Sequence, residues 1–280
     1  SITHWDNSFA DYGVLNIFTQ YLVDHYGVKI LKDSLQSPKR GIHSLNDALK
    51  KNGFDQDFAQ IFTDWTIASL VNNCSFGDKY CYLNDNLKNV RITPVSNFLP
   101  IKLETALSSR HTTKEWTGNW YKIFGGAGTL VFKFDGAPSE NSEMPYLICD
   151  NSDTCSLYFL PLDNDRNGQI IIEGFNKEYI SLYIIPSVQH NGRILSDFSF
   201  SWEAKIDIDD QKDRGGEQDP GDQDSELIAK LLSQIAQLRE QIAQVQAKID
   251  IVLKNRAYVG INGNLYFGLK NSPEVKSLQE

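Results

Sequence analysis

The residues best suited to chemistry are a short run of oxygen donors, Asp163-Asn164-Asp165-Arg166-Asn167-Gly168. The run reads D-x-D-x-N-G, the opening of a calcium loop. Side-chain oxygens of Asp163, Asp165 and Asn167 would converge on one hard cation, and the glycine permits the sharp turn. An EF-hand closes such a loop with a bidentate Glu at position twelve. Here that place is held by Gly174, and Glu173 comes one residue early. A hairpin turn at Asn167-Gly168 accounts for the same residues, so both readings stand. The histidines are His4, His25, His43, His111 and His190, and no two are four apart. A HExxH zinc site needs that spacing to bring two imidazoles to one helical face, so the chain contains none. The cysteines form two close sets, Cys74 with Cys81 and Cys149 with Cys155. Neither spacing is the CxxC of a zinc knuckle. Two local disulfides are the preferred reading over four buried thiols, and they point to an oxidising setting outside the cytoplasm.

These residues need elements to hold them. Residues 1–93 carry helical periodicity. Asp6 or Asn7 is expected to cap a helix running to Tyr26, with Gly27 as its stop. A short helix follows over Val28–Leu35, and Ser44 opens another that ends at Gly53. A last helix over Asp55–Val71 places Phe58, Ile61, Phe62, Trp65 and Ala68 on one face. From about Val90 the period changes to two. Leu130, Phe132 and Phe134 alternate with polar residues, as do Phe198, Phe200 and Trp202. Seven or eight such runs, broken by Gly, Asn and Pro, predict a β-sandwich over 94–206. Trp116, Trp120 and Tyr121 belong either to its core or to a stacking platform for sugar or peptide; the core reading is preferred.

Residues 207–224 are acidic and carry Gly215-Gly216 and Pro220-Gly221, which predicts an extended linker. Nine acids face two bases between Asp207 and Glu226, so most of the formal charge of −9 sits there and the preceding part is nearly neutral. No basic patch points to nucleic acid, and no apolar run is long enough to span a membrane. Over 225–256 the apolar residues Ile228, Leu231, Ile235, Leu238, Ile242, Val245, Ile249 and Val252 alternate in steps of three and four. This is a heptad seam with Ile at every a position, and it predicts self-association through a parallel coiled coil.

Three stretches carry a resemblance. They are Asp11-Tyr12-Gly13-Val14-Leu15-Asn16-Ile17-Phe18-Thr19-Gln20-Tyr21-Leu22, then Tyr26-Gly27, then Phe62-Thr63-Asp64-Trp65-Thr66-Ile67-Ala68. Together they resemble the C-terminal helical half of secreted bacterial zinc metallopeptidases of the hyicolysin and immune inhibitor A type. The resemblance implies that zinc is held by a part preceding Ser1, that the helices here are scaffold, and that this chain alone has no peptidase activity. At the other end, Asn271-Ser272-Pro273-Glu274-Val275-Lys276-Ser277-Leu278-Gln279 resembles the first helix of a peptidoglycan-binding-like domain, which would make 257–280 the start of a truncated module.

The expectation is therefore a multidomain α + β chain: a helical peptidase-type subdomain, a β-sandwich, then a single long coiled-coil helix. The implied function is that of a non-zinc-binding portion of a secreted cell-envelope metallopeptidase, serving as scaffold, accessory binding and oligomerisation segment. Peptidoglycan or another envelope polymer is the expected partner, and an extracellular or wall-associated place the expected location. The alternative is a non-catalytic surface binding or adhesion protein that uses the β part.

Overall fold

In a computed structural model, residues 1–100, 106–136, 143–190 and 197–207 are described. The heptad residues, the acidic linker and the terminal module fall outside the described residues.

Four helices come first: α1 (Phe9–Tyr26), α2 (Val28–Gln36), α3 (Ile42–Lys51) and α4 (Phe58–Val71). Helix α1 starts one or two residues later than expected. Ser8, not Asp6 or Asn7, accepts from the Asp11 amide, and Asp11 returns the bond in a capping box. Helix α4 starts the same way, with Asp57 and Gln60 reciprocating. Helix α3 begins at Ile42 rather than Ser44, because Gly41 supplies the left-handed turn before it (φ 58°). Its Ser44 hydroxyl instead bonds back to the Gly41 carbonyl at 2.8 Å. Phe18, Tyr21, Leu22, Ile30, Leu49, Ile61, Phe62 and Trp65 bury one another between these helices. Phe18 meets both Phe58 and Trp65 edge to face.

After α4 a loop closed by the Cys74–Cys81 disulfide folds back on the helices. The Tyr21 hydroxyl donates to the Lys79 carbonyl at 2.7 Å. Lys79 Nζ lies 2.9 Å from the buried Asp64 carboxylate of α4. Burial raises the Asp64 pKa above the ordinary carboxylate value, and the Lys79 ammonium opposes the shift without cancelling it. Asn72, at the left-handed end of α4, ties this loop down by donating to the carbonyls of Leu87, Lys88 and Val90.

Nine strands follow: β1 (Val95–Leu99), β2 (Leu107–Thr113), β3 (Tyr121–Gly125), β4 (Gly128–Asp135), β5 (Met144–Asp150), β6 (Cys155–Leu160), β7 (Asn167–Phe175), β8 (Tyr179–Ile184) and β9 (Phe198–Asp207). They form one sheet in the order β1-β3-β8-β7-β4-β9-β2, with β5 on the other side of β8 and β6 beyond it. Pairing is antiparallel except for β1 with β3 and a single contact, Phe175 with Tyr179, between β7 and β8. Ile123, Leu130, Phe132, Phe175, Leu182, Ile184 and Ala204 are fully buried inside it. Cys149 and Cys155 face each other across the β5–β6 hairpin and are disulfide-bonded.

This arrangement corrects the expected fold class. The described chain is mainly β: one sheet curled into a nearly closed barrel, with four short helices, the longest of 18 residues. No long coiled-coil helix is found among the described residues. The two-sheet sandwich fails at the β7–β8 turn. There Gly174 and Asn176, at φ 66° and 61°, reverse the chain tightly, and the Phe175–Tyr179 contact joins both halves into one sheet. Period-two alternation reports one buried face per strand. It cannot tell two facing sheets from one curled sheet.

Helices and sheet share side chains. Trp116 lies between β2 and β3 in sequence, yet its ring inserts among the helices, edge-on to Phe58 and Phe62. Its indole N–H donates to the His190 carbonyl at 3.0 Å. Trp120 donates to the Thr66 carbonyl of α4 at 2.9 Å. Gln189 Nε2 reaches Thr63 Oγ1 at 2.7 Å.

Candidate functional site

The Trp116, Trp120 and Tyr121 cluster is no platform. Trp116 is 1% exposed, Tyr121 is 6% exposed inside the sheet, and the Trp120 indole is spent on α4. The surface able to meet a ligand lies instead on the outer side of β2, β9, β4 and β7. Register sets it. Ser108 pairs with Glu203, Glu203 with Lys133, and Lys133 with Gln169, which makes one row across four strands. Arg110 pairs with Ser201, Ser201 with Asp135, and Asp135 with Asn167, which makes the next row. Alternation puts all of them on the face opposite the core, while Phe134 and Trp202 lie beneath. The surface is concave, an open groove of about 780 Å³ that these residues and Asp163 line.

Few hydrogen bonds are made within this groove. Ser201 Oγ approaches Asp135 Oδ2 at 3.4 Å. Among the described residues Arg110, Lys133 and Glu203 form no ion pair within 4.0 Å. Asn167 Oδ1 is buried without a hydrogen-bond partner among them. The groove thus presents charges of both signs whose hydrogen-bonding capacity is largely unspent.

The structure places Asp163, Asp165 and Asn167 at the turn into β7, at one end of the groove. Asp163 Oδ1 accepts from the amides of Asp165 (2.9 Å) and Asn167 (2.8 Å). The Arg166 amide bonds to the Asp163 carbonyl, and Arg166 takes the left-handed conformation (φ 67°). This is an Asx-type turn, built by a side chain that mimics backbone. Among the described residues no three or more His, Cys, Asp or Glu are grouped to hold a metal.

A second pairing of reactive residue types occurs on the inner side of β2, where Ser109 Oγ and His111 Nε2 are 2.8 Å apart. The His111 ring packs 4.5 Å from Tyr121 and 5.3 Å from Phe200. Burial lowers its pKa, which favours the neutral imidazole. Among the described residues no carboxylate hydrogen-bonds its other nitrogen, so the orienting member of a triad is missing and the pair serves to pack the sheet edge.

Sequence reasoning missed the groove residues Ser108, Arg110, Lys133, Asp135, Gln169, Ser201 and Glu203. The available signal was the polar half of each alternating run, but which polar residues become neighbours depends on register.

No protein family is matched by this chain, and no curated protein matches it. Solved structures give distant likenesses. The pre-peptidase C-terminal domain of a collagenase from Bacillus anthracis is 12% identical, with 41% of this chain and 99% of that chain covered and a TM-score of 0.28. The Yersinia pseudotuberculosis-derived mitogen is 11% identical, with 39% and 92% covered and a TM-score of 0.26. A periplasmic inhibitor of g-type lysozyme from Aeromonas hydrophila is 10% identical, with 41% and 100% covered and a TM-score of 0.26. Likenesses at this level carry no argument about the present chain.

Proposed function

We propose that this chain is a non-catalytic accessory module of a protein exported from the cytoplasm, and that it binds an envelope polymer such as peptidoglycan through the β2–β9–β4–β7 face. The observation that carries this reading is the groove itself, which combines concavity with unspent donors and acceptors of both signs. Two disulfides suit an oxidising compartment. No described helix is long and apolar enough to cross a membrane. The finer reading, a tail of a secreted zinc metallopeptidase, rests on the resemblance of α1 and α4. In it the helices act as scaffold, zinc belongs to another part of the protein, and these residues cleave nothing alone. Self-association through Ile228–Val252 would raise the avidity of weak grooves for a repeating polymer.

Co-sedimentation with purified peptidoglycan tests the proposal. The chain is expected in the pellet, and the Arg110→Glu/Lys133→Glu variant, with an unchanged melting temperature, in the supernatant. A wild-type chain that stays soluble overturns it. Sedimentation equilibrium tests the coil: Ile235→Asp or Ile242→Asp is expected to turn a dimer into a monomer, and a monomeric wild type at micromolar concentration refutes it.

A further inference from the structure

We infer that the groove recognises an amphoteric peptide, one that carries an ammonium and a carboxylate close together, rather than the sugar of a glycan. This rests on the binding-face reading above and narrows it.

The charges in the groove are ordered. Glu203 and Lys133 are neighbours in one row. In the next row Asp135 stands beside Lys133 along β4, and Arg110 stands two strands away from Asp135. Adjacent strands are about 4.8 Å apart and alternate residues of a strand about 7 Å apart. Lys133 therefore has an acid beside it in both directions, Glu203 across the strands and Asp135 along β4, with neutral Gln169 and Ser201 around them. A purely anionic or purely cationic polymer would meet a like charge beside each opposite one. A peptide whose acidic and basic groups are adjacent can place its carboxylate against Lys133 and its ammonium against Glu203 or Asp135.

The groove offers no exposed flat apolar ring on which a sugar could stack. Its aromatic neighbours, Phe134 and Trp202, are 7% and 2% exposed and face the core. Tyr121, which packs against Trp202, is buried as well. A peptide also suits an open groove because it lies extended and presents side chains at the spacing of a strand.

Chemical-shift titration of the full chain with the tetrapeptide Ala-Glu-Lys-Ala, and separately with chitotetraose, tests this. The expected result is peptide-induced shifts on β2, β9 and β4, weakened by added salt, with no response to chitotetraose. Lys133→Glu is expected to weaken the peptide about tenfold, the loss of one charge-assisted contact. The exchanged variant Lys133→Glu/Glu203→Lys keeps the net charge and is expected to prefer Ala-Lys-Glu-Ala over Ala-Glu-Lys-Ala. A melting curve like that of the wild type certifies each variant as folded. A response to chitotetraose and not to peptide overturns the inference and leaves the binding face standing, as does binding of whole peptidoglycan with no response to either fragment. No response to peptide, glycan or whole peptidoglycan overturns both. An unchanged preference in the exchanged variant overturns the assignment of Lys133 and Glu203.

Discussion

Asp64 shows how one residue can make stability depend on pH. Its carboxyl is 7% exposed, whereas the Lys79 side chain above it is 52% exposed. Burial raises the folded pKa of Asp64 above the unfolded value of 3.8. A raised pKa contributes stability below the unfolded value, and that contribution is lost as pH rises through the folded value. Lys79→Ala removes the cation that limits this loss. It is expected to cost roughly 1–3 kcal/mol at neutral pH, less than for a fully buried pair because the ammonium is half exposed. The cost is expected to shrink on acidification below the carboxylate range, and to lose its pH dependence when Lys79→Ala is made in an Asp64→Asn background. Melting temperatures across pH check both; a Lys79→Ala penalty that grows on acidification contradicts them. Asp163 offers a second test. Asp163→Ala removes the acceptor of two amides and is expected to cost about 1 kcal/mol. If calcium also binds there, calcium raises the melting temperature of the wild type and not of the variant; an equal response in both rules the site out. These residues were unequally legible. The cysteine pairs and the Asp163 turn are local, so spacing announced them. Lys133 and Glu203 are distant in sequence, and nothing local says that register will set them side by side. Asp64 reads as the one charged residue of its helix, and its partner arrives on a loop that only the fold brings back.

The helices were legible as elements and less so at their ends. Apolar spacing located α1 and α4, whereas the cap depends on which of several polar residues turns its oxygen inward. Ser8 and Asp57 do so, each answered by the residue three places on. Asp57→Ala is expected to destabilise the protein by about 1 kcal/mol, measured by denaturant midpoint at constant slope. A neutral outcome would mean that packing of Phe58 and Ile61 alone fixes the start of α4. The strands were found by their alternation, but their assembly was misread, because closure of the sheet hangs on one contact, Phe175 with Tyr179, and on the tight turn between β7 and β8. Gly126 is placed where a Cβ would come within 2.8 Å of Ile206, so β4 and β9 meet the chain after β3 only through a residue without a side chain.

At the scale of the described molecule, helices and sheet depend on each other. Residues of the β2–β3 connection cross into the helical core, and Trp116 is the one buried deepest there. Trp116→Ala is expected to cost about 3–5 kcal/mol, since it leaves a cavity between two layers. It is also expected to lower the stability of helices and strands together. Hydrogen exchange read separately on α4 and β3 checks this; loss of protection in one layer only would show that the layers unfold apart. Sequence reasoning assigned Trp116 to a β core because it stands among β residues, and only a long-range contact reveals otherwise. The Cys149–Cys155 bridge has a consequence at this scale as well. It spans the exposed tip Asn151–Thr154, the kind of site where peptidases cut first. A chain clipped at Ser152 would stay covalently whole and keep β5 and β6 zipped. It would run as one band on a gel without reductant and as two with it, so a cut at this tip would escape notice until the bridge was reduced.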